Sequence, residues 1–197
     1  MAENALFDEE GNRLYLTADE RAAFLDTAKT AERSLKSFCH VLHYSGCRIS
    51  EALELTARRV DLAEQSLRIR SLKKREGKIV FREVPIPPAL AENLDNVFGI
   101  REIQKRGQKK ALDARLWTWS RVHAWRLVTG IMDAADIPEG PHRTPKGLRH
   151  GYGVNAIRTG IQLNMLQKWM GHADMKTTAI YANALGEEER QIASRMW

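Results

Sequence analysis

The chain has 197 residues, 43% of them hydrophobic and 28% charged, with a formal net charge of +6. That allows one domain with a sizeable core, at a composition ordinary for globular proteins. No apolar run reaches the length of a membrane span, and the polar, acidic start from Met1 to Arg13 excludes a signal peptide. Cys39 and Cys47 are too few for a disulfide framework and fit a reducing cytoplasm.

In chain order, Thr17 followed by Glu20 reads as a capping box that opens a helix. Ala23, Phe24 and Ala28, then Leu35, Phe38, Val41 and Leu42, recur at helical spacing and predict two helices before Gly46. A third is predicted over Ile49–Leu55. The period then changes: Leu67 and Ile69 alternate with Arg68 and Arg70, and Ile79-Val80-Phe81 follows a polar turn. Pro85 and Pro87 close this β-hairpin, because proline cannot continue a ladder. A short helix is predicted over Ala89–Phe98, then a polar loop or frayed helix from Arg101 to Asp113, and a helix over Ser120–Ala135. Beyond the Pro138–Pro141 turn come helices over Pro145–Arg158, Asn164–Met170 and Lys176–Ala184, with a tail helix from Glu187. The fold class is α+β, mostly α-helical, with a small antiparallel β-sheet at one side. No internal repeat or low-complexity linker is present, so residues 14–197 form one domain behind a polar extension, 1–13.

Charge is uneven. Between Ser66 and Arg82 seven basic residues face one acid, Glu76, and from Arg101 to Arg126 eight face two. Charge runs are usually solvated faces, but a basic middle between acidic ends fits a polyanionic partner. Arg68, Arg70, Lys74, Arg75 and Lys78 are the candidate phosphate-contacting residues.

Four segments need a common explanation: Gly46-Cys47-Arg48-Ile49-Ser50-Glu51, the hairpin with Lys73 and Lys74, Lys146-Gly147-Leu148-Arg149-His150, and Gly171-His172-Ala173 leading to Tyr181. Two arginines, a lysine, a histidine and a tyrosine are the groups that phosphodiester transesterification by a phenol requires. The phenol, with an ordinary pKa near 10, must lose its proton as it attacks. Guanidinium forks match the charge that develops on the non-bridging oxygens, and a lysine can protonate the departing oxygen.

These segments resemble the tyrosine recombinase (phage integrase) family, from about Leu14 to Tyr181. Arg48 matches the family's first arginine, Glu51 its supporting acid, and Lys73 its hairpin lysine, with Lys74 the alternative. Arg149 matches the second arginine. His172 follows 23 residues later and Tyr181 nine after that, as in the family. Four boxes in order are specific where one is not. The resemblance implies a catalytic-domain helical bundle with Tyr181 as nucleophile, a 3′-phosphotyrosine intermediate, and neither metal nor ATP nor any other cofactor. It implies duplex DNA as partner, self-association in a tetrameric synapse from a protomer that can be monomeric in solution, and a cytoplasmic location without a membrane. No separate N-terminal core-binding domain is expected in these residues. One position departs: Lys146 stands where the family usually has histidine, as in type IB topoisomerases, and an ammonium donates rather than accepts a proton.

Blander readings exist for each residue. Arg48 can simply pair with Glu51, the hairpin lysines can guard an edge strand, His172 can serve a helix end, and Tyr181 can be half-buried packing. His150 reads as structural, Trp125 and Trp169 as core. Cys39, His40, His43 and Cys47 share a helix, an arrangement that zinc sites rarely use. Topoisomerase-like relaxation of DNA and a non-catalytic DNA-binding role are the alternatives to recombination.

Overall fold

The fold is that of a computed structural model, which describes residues 5–72, 80–183, 194 and 196. Helix α1 (Ala18–Lys29) opens as predicted: Thr17 Oγ1 accepts from the Glu20 N–H, and the Glu20 carboxylate accepts from the Thr17 N–H. Helix α2 (Arg33–Ser45) is buried along most of its length and ends on Gly46, whose φ of 57° is left-handed. It packs against α1, α4 (Pro88–Phe98) and α8 (Pro145–Arg158). Phe24, Phe38, Val41, Leu42, Leu90, Leu94, Trp117, Met132 and Leu148 fill the core between these elements and α7 (Arg121–Ala134). Residues this large each contribute on the order of 1.5–3 kcal/mol by leaving water.

Helix α3 is one turn, Ile49–Ala52, shorter than expected, and a 3₁₀ turn over Ala57–Arg59 follows. The sheet holds β1 (Val60–Asp61), β2 (Ser66–Ser71) and β3 (Val80–Pro85) in that order, all antiparallel. The two long strands are the predicted hairpin, paired Leu67 to Val84 and Ile69 to Arg82. Alternation turns Leu67, Ile69 and Val84 inward and leaves Arg68 exposed and Arg70 half-buried. Arg82 breaks the expected polarity, because it lies on the inward face and is buried. Lys73, Lys74, Arg75 and Lys78 lie outside the described residues, as does the tail helix predicted from Glu187.

Of the two expectations for Arg101 to Asp113, loop or frayed helix, the structure takes the helical one, as α5 (Ile100–Arg106) and α6 (Lys109–Asp113). Gly99 and Gly107, with φ of 64° and 68°, cap successive helices instead of marking a loop. Ile100 is fully buried and anchors α5 despite its polar neighbours. Helix α9 (Leu163–Met170), α10 (Met175–Ala179) and a 3₁₀ turn over Ile180–Asn183 complete the described chain. Leu6, Val154, Leu166, Met170 and Tyr181 form a second, smaller core there. No helix among the described residues is long and apolar enough to cross a membrane.

Candidate active site

The site starts where α3 begins. The Glu51 carboxylate reaches back to accept from the Arg48 backbone N–H at 2.9 Å and from the Arg48 guanidinium at 3.1 Å. Its second partner comes from the sheet: Arg82 donates to Glu51 at 2.6 Å and also to the Trp169 carbonyl at 2.7 Å. Burial alone would raise the carboxyl's pKa, but Arg82, Arg149 and the Arg48 N–H together hold it below the ordinary range. Glu51 is therefore a buried anion that fixes one end of Arg48 while leaving that guanidinium partly open.

Helix α8 carries the second arginine. Thr144 Oγ1 caps it by accepting from the Gly147 N–H, and Pro145 occupies the first turn, where its missing N–H costs nothing. Arg149, on the buried face, donates to the Gly46 carbonyl at 2.6 Å and the Met170 carbonyl at 2.8 Å. Both carbonyls lie at helix ends, of α2 and α9, where the helix dipole favours a cation. Burial pulls the Arg149 pKa down to about 10, which leaves it charged at neutral pH.

Arg149 also fixes the tautomer of His172. A guanidinium only donates, so His172 Nε2, 3.0 Å from Arg149, accepts. The ring proton then sits on Nδ1 and is given to Thr178 Oγ1 at 3.0 Å. Burial, then Arg149 and Arg48, lower the His172 pKa to about 3, so the ring is neutral. Gly171, with φ of 67°, makes the turn out of α9 that delivers this histidine.

Tyr181 sits on the final 3₁₀ turn, its ring nearly parallel to that of His172. Its phenol is 3.0 Å from His150 Nδ1, and the residue is 1% exposed. Burial raises its pKa to about 12. The ring lies directly on Gly153, where a Cβ would fall 2.5 Å from Tyr181 Cε1. Gly153→Ala is thus expected to lower stability by roughly 1–3 kcal/mol, the usual cost of overpacking, with Tyr181 displaced. Urea denaturation checks this, and an unchanged midpoint would mean that the ring does not need that space.

Arg48, Lys146, Arg149, His150, His172 and Tyr181 line one cleft of about 960 Å³. The structure therefore brings together three of the four far-apart sequence segments, those of Arg48, of Lys146 to His150 and of His172 to Tyr181, while the hairpin lysines lie outside the described residues. Lys146 is exposed at the start of α8. Arg68 lines a separate hollow with Arg58 and Arg101, and neither it nor Arg70 borders the cleft. Arg149 and His150 are buried, not solvated, and His150 bonds the phenol instead of merely ordering a helix. Trp125 is corrected too: at 45% exposure it lies on the cleft wall beside Arg121, whereas Trp169 packs against the core as expected. Cys39, His40, His43 and Cys47 are buried, and among the described residues no three His, Cys or acidic side chains converge as a metal site. Sequence reasoning missed Arg82 and Gly153 altogether. Arg82 occupies an inward register position in an alternating strand, a signal that was available; the contact at Gly153 has no local signature.

Residues 14–188 match the phage integrase family. A tyrosine recombinase of Thermosipho africanus is 27% identical over 184 residues, covering 92% of this chain and 61% of that protein. The crystal structure of XerA recombinase superposes with a TM-score of 0.73 at 22% identity, over 92% of this chain and 64% of the other. XerH recombinase bound to its difH substrate gives 0.70 at 18% identity, over 97% and 59%. The chain spans about three fifths of the length of the curated relatives it matches. With the matched segment running through every box from Arg48 to Tyr181, the chain belongs to the phage integrase family of tyrosine recombinases.

Proposed function

We propose that residues 14–197 are the catalytic domain of a site-specific DNA recombinase. Duplex DNA enters the cleft, and Tyr181 attacks the scissile phosphate to leave a 3′-phosphotyrosine link and a free 5′-hydroxyl. Arg48, Arg149 and His172 stabilise the charged transition state, with Lys146 assisting. Lys73 protonates the leaving oxygen. A 5′-hydroxyl from a second strand reverses the step, so the bond energy is conserved without ATP. Cationic side chains carry the phosphate's charge, which removes the need for a metal.

The observation that carries this reading is the convergence of Arg48, Arg149, His172 and Tyr181 on one cleft. Exposed Arg68, together with Arg70, Lys74, Arg75 and Lys78, supplies sequence-independent phosphate contacts outside it. The partner is duplex DNA, on which protomers assemble in a tetrameric synapse, in the cytoplasm where bacterial DNA lies. Lys146 gives DNA relaxation of the type IB kind as a second reading, since that chemistry tolerates a lysine donor at this point.

The test uses nicked suicide duplexes carrying inverted repeats found beside the gene, in EDTA and without ATP. A denaturant-stable protein–DNA adduct is expected, with the nucleotide mapped to the Tyr181 peptide by mass spectrometry. An adduct on another residue, or one that forms only with added metal, would overturn the assignment. Relaxation of plasmids of random sequence with no recombinant product would favour the second reading.

A further inference from the structure

Resting on that reading, we propose that His150 is the general base of the reaction: it takes the Tyr181 proton as the phenol attacks. It is then a catalytic residue, and the family's usual histidine position, here Lys146, is not the source of the base in this chain.

Hydrogen-bond geometry leaves His150 as the acceptor for the phenolic proton. Arg48, Lys146 and Arg149 only donate, so none of them can accept the phenolic proton. Both nitrogens of His172 are committed, Nε2 to Arg149 and Nδ1 to Thr178. Among the described residues the phenol's hydrogen-bond partner is His150 Nδ1, at 3.0 Å. The phenolic proton needs an acceptor in this buried place, which assigns the lone pair to Nδ1 and the ring proton to Nε2. Among the described residues that Nε2 is buried without a partner, so no donor there fixes the opposite tautomer.

The groups that face the imidazole set its charge. Lys146 and Arg149 lie on its own helix and Arg48 comes from the start of α3; His172 approaches from the turn after α9 and Tyr181 from the 3₁₀ turn. Asp8, Glu9 and Glu10 border the same cleft from the N-terminal segment. Burial first, and then the cations, lower the His150 pKa to about 4, so its lone pair is open at neutral pH. A phosphate arriving among those cations offsets them and returns the imidazole toward its ordinary basicity. Basicity therefore rises when substrate binds.

The Oη–phosphorus bond forms while the phosphorus–O5′ bond breaks, the Oη proton passes to His150 Nδ1, and O5′ departs with a proton from the lysine assigned above. On religation the incoming 5′-hydroxyl gives its proton to that lysine, and the imidazolium returns its proton to Oη.

A different role for the same contact would be a latch that merely holds the phenol in its buried position. The two roles predict opposite signs. On the suicide duplexes, His150→Gln keeps a hydrogen-bonding side chain but cannot take a proton. It is expected to slow single-turnover adduct formation by about 10²–10³-fold and to abolish the fall in rate that the native protein shows toward acid pH. Added imidazole should restore part of the rate in His150→Ala. Unchanged or faster adduct formation in His150→Gln, or an unaltered acid limb, overturns the proposal.

A DNA-free readout separates this outcome from failure of the recombinase reading. In protein labelled with 3-fluorotyrosine, the Tyr181 fluorine resonance, assigned through Tyr181→Phe, should follow an acid transition that His150→Gln removes. A resonance that does not respond overturns the His150 assignment whether or not any duplex is cleaved. A native protein that shows this transition but forms no adduct overturns the recombinase reading, and with it the base role.

Discussion

Tyr181→Phe is expected to form no covalent adduct with the suicide duplexes and to shift the same DNA with nearly native affinity. The substitution removes one oxygen, the only atom of that side chain able to attack phosphorus, and leaves the ring stacked beside His172 and seated on Gly153. Losing the bond to His150 costs about 1 kcal/mol of stability, too little to unfold the domain. Affinity resides in cations that the substitution does not touch, and it should keep its steep salt dependence. Gel shift and denaturing electrophoresis on one preparation check both halves. Residual adduct would mean a different nucleophile. The 1% exposure of Tyr181 adds a requirement: the groups that cover the phenol must open for a phosphate to reach it where it sits against His150.

The second large effect is on stability. Glu51→Gln leaves the Arg82 guanidinium buried without its counter-ion, and breaking a buried pair from one side costs roughly 3–5 kcal/mol. Urea denaturation should show a shift of that size. Replacing both partners by apolar residues, Glu51→Leu with Arg82→Met, should recover most of it, because no uncompensated charge remains. Adduct formation should not recover, since Arg48 still lacks the carboxylate that orients it. Recovery of both would show that Glu51 has no part in positioning Arg48.

The same residue predicts a pH dependence. The folded pKa of Glu51 lies below the ordinary carboxylate value of 4.5, so its stabilisation is complete above that value and is lost as pH falls through the lowered one. His150 and His172 act in the same direction: from 6.5 down to about 4 and about 3, the unfolded chain binds protons that the folded chain does not. Stability should therefore decline steadily on the acid side, and Glu51→Gln should flatten the lower part of that decline.

Much of the fold was legible locally. The Thr17–Glu20 box, the alternation around Leu67 and Ile69, and the Pro145 start of α8 each depend on neighbours within one turn or one strand pair. The polar segment from Arg101 read as either loop or frayed helix because the capping Gly107 resembles a loop glycine when the burial of Ile100 is not visible. The order and spacing of Arg48, Arg149, His172 and Tyr181 were enough to point to the phage integrase family, which residues 14–188 match. What only the tertiary structure decided is which groups they meet. Arg82 comes from the sheet to neutralise Glu51, Arg149 joins the ends of two helices, and His150 faces the phenol across 31 residues of chain. Those contacts join side chains remote in sequence, and their energies depend on burial, a property of the packed molecule that no stretch of residues carries by itself.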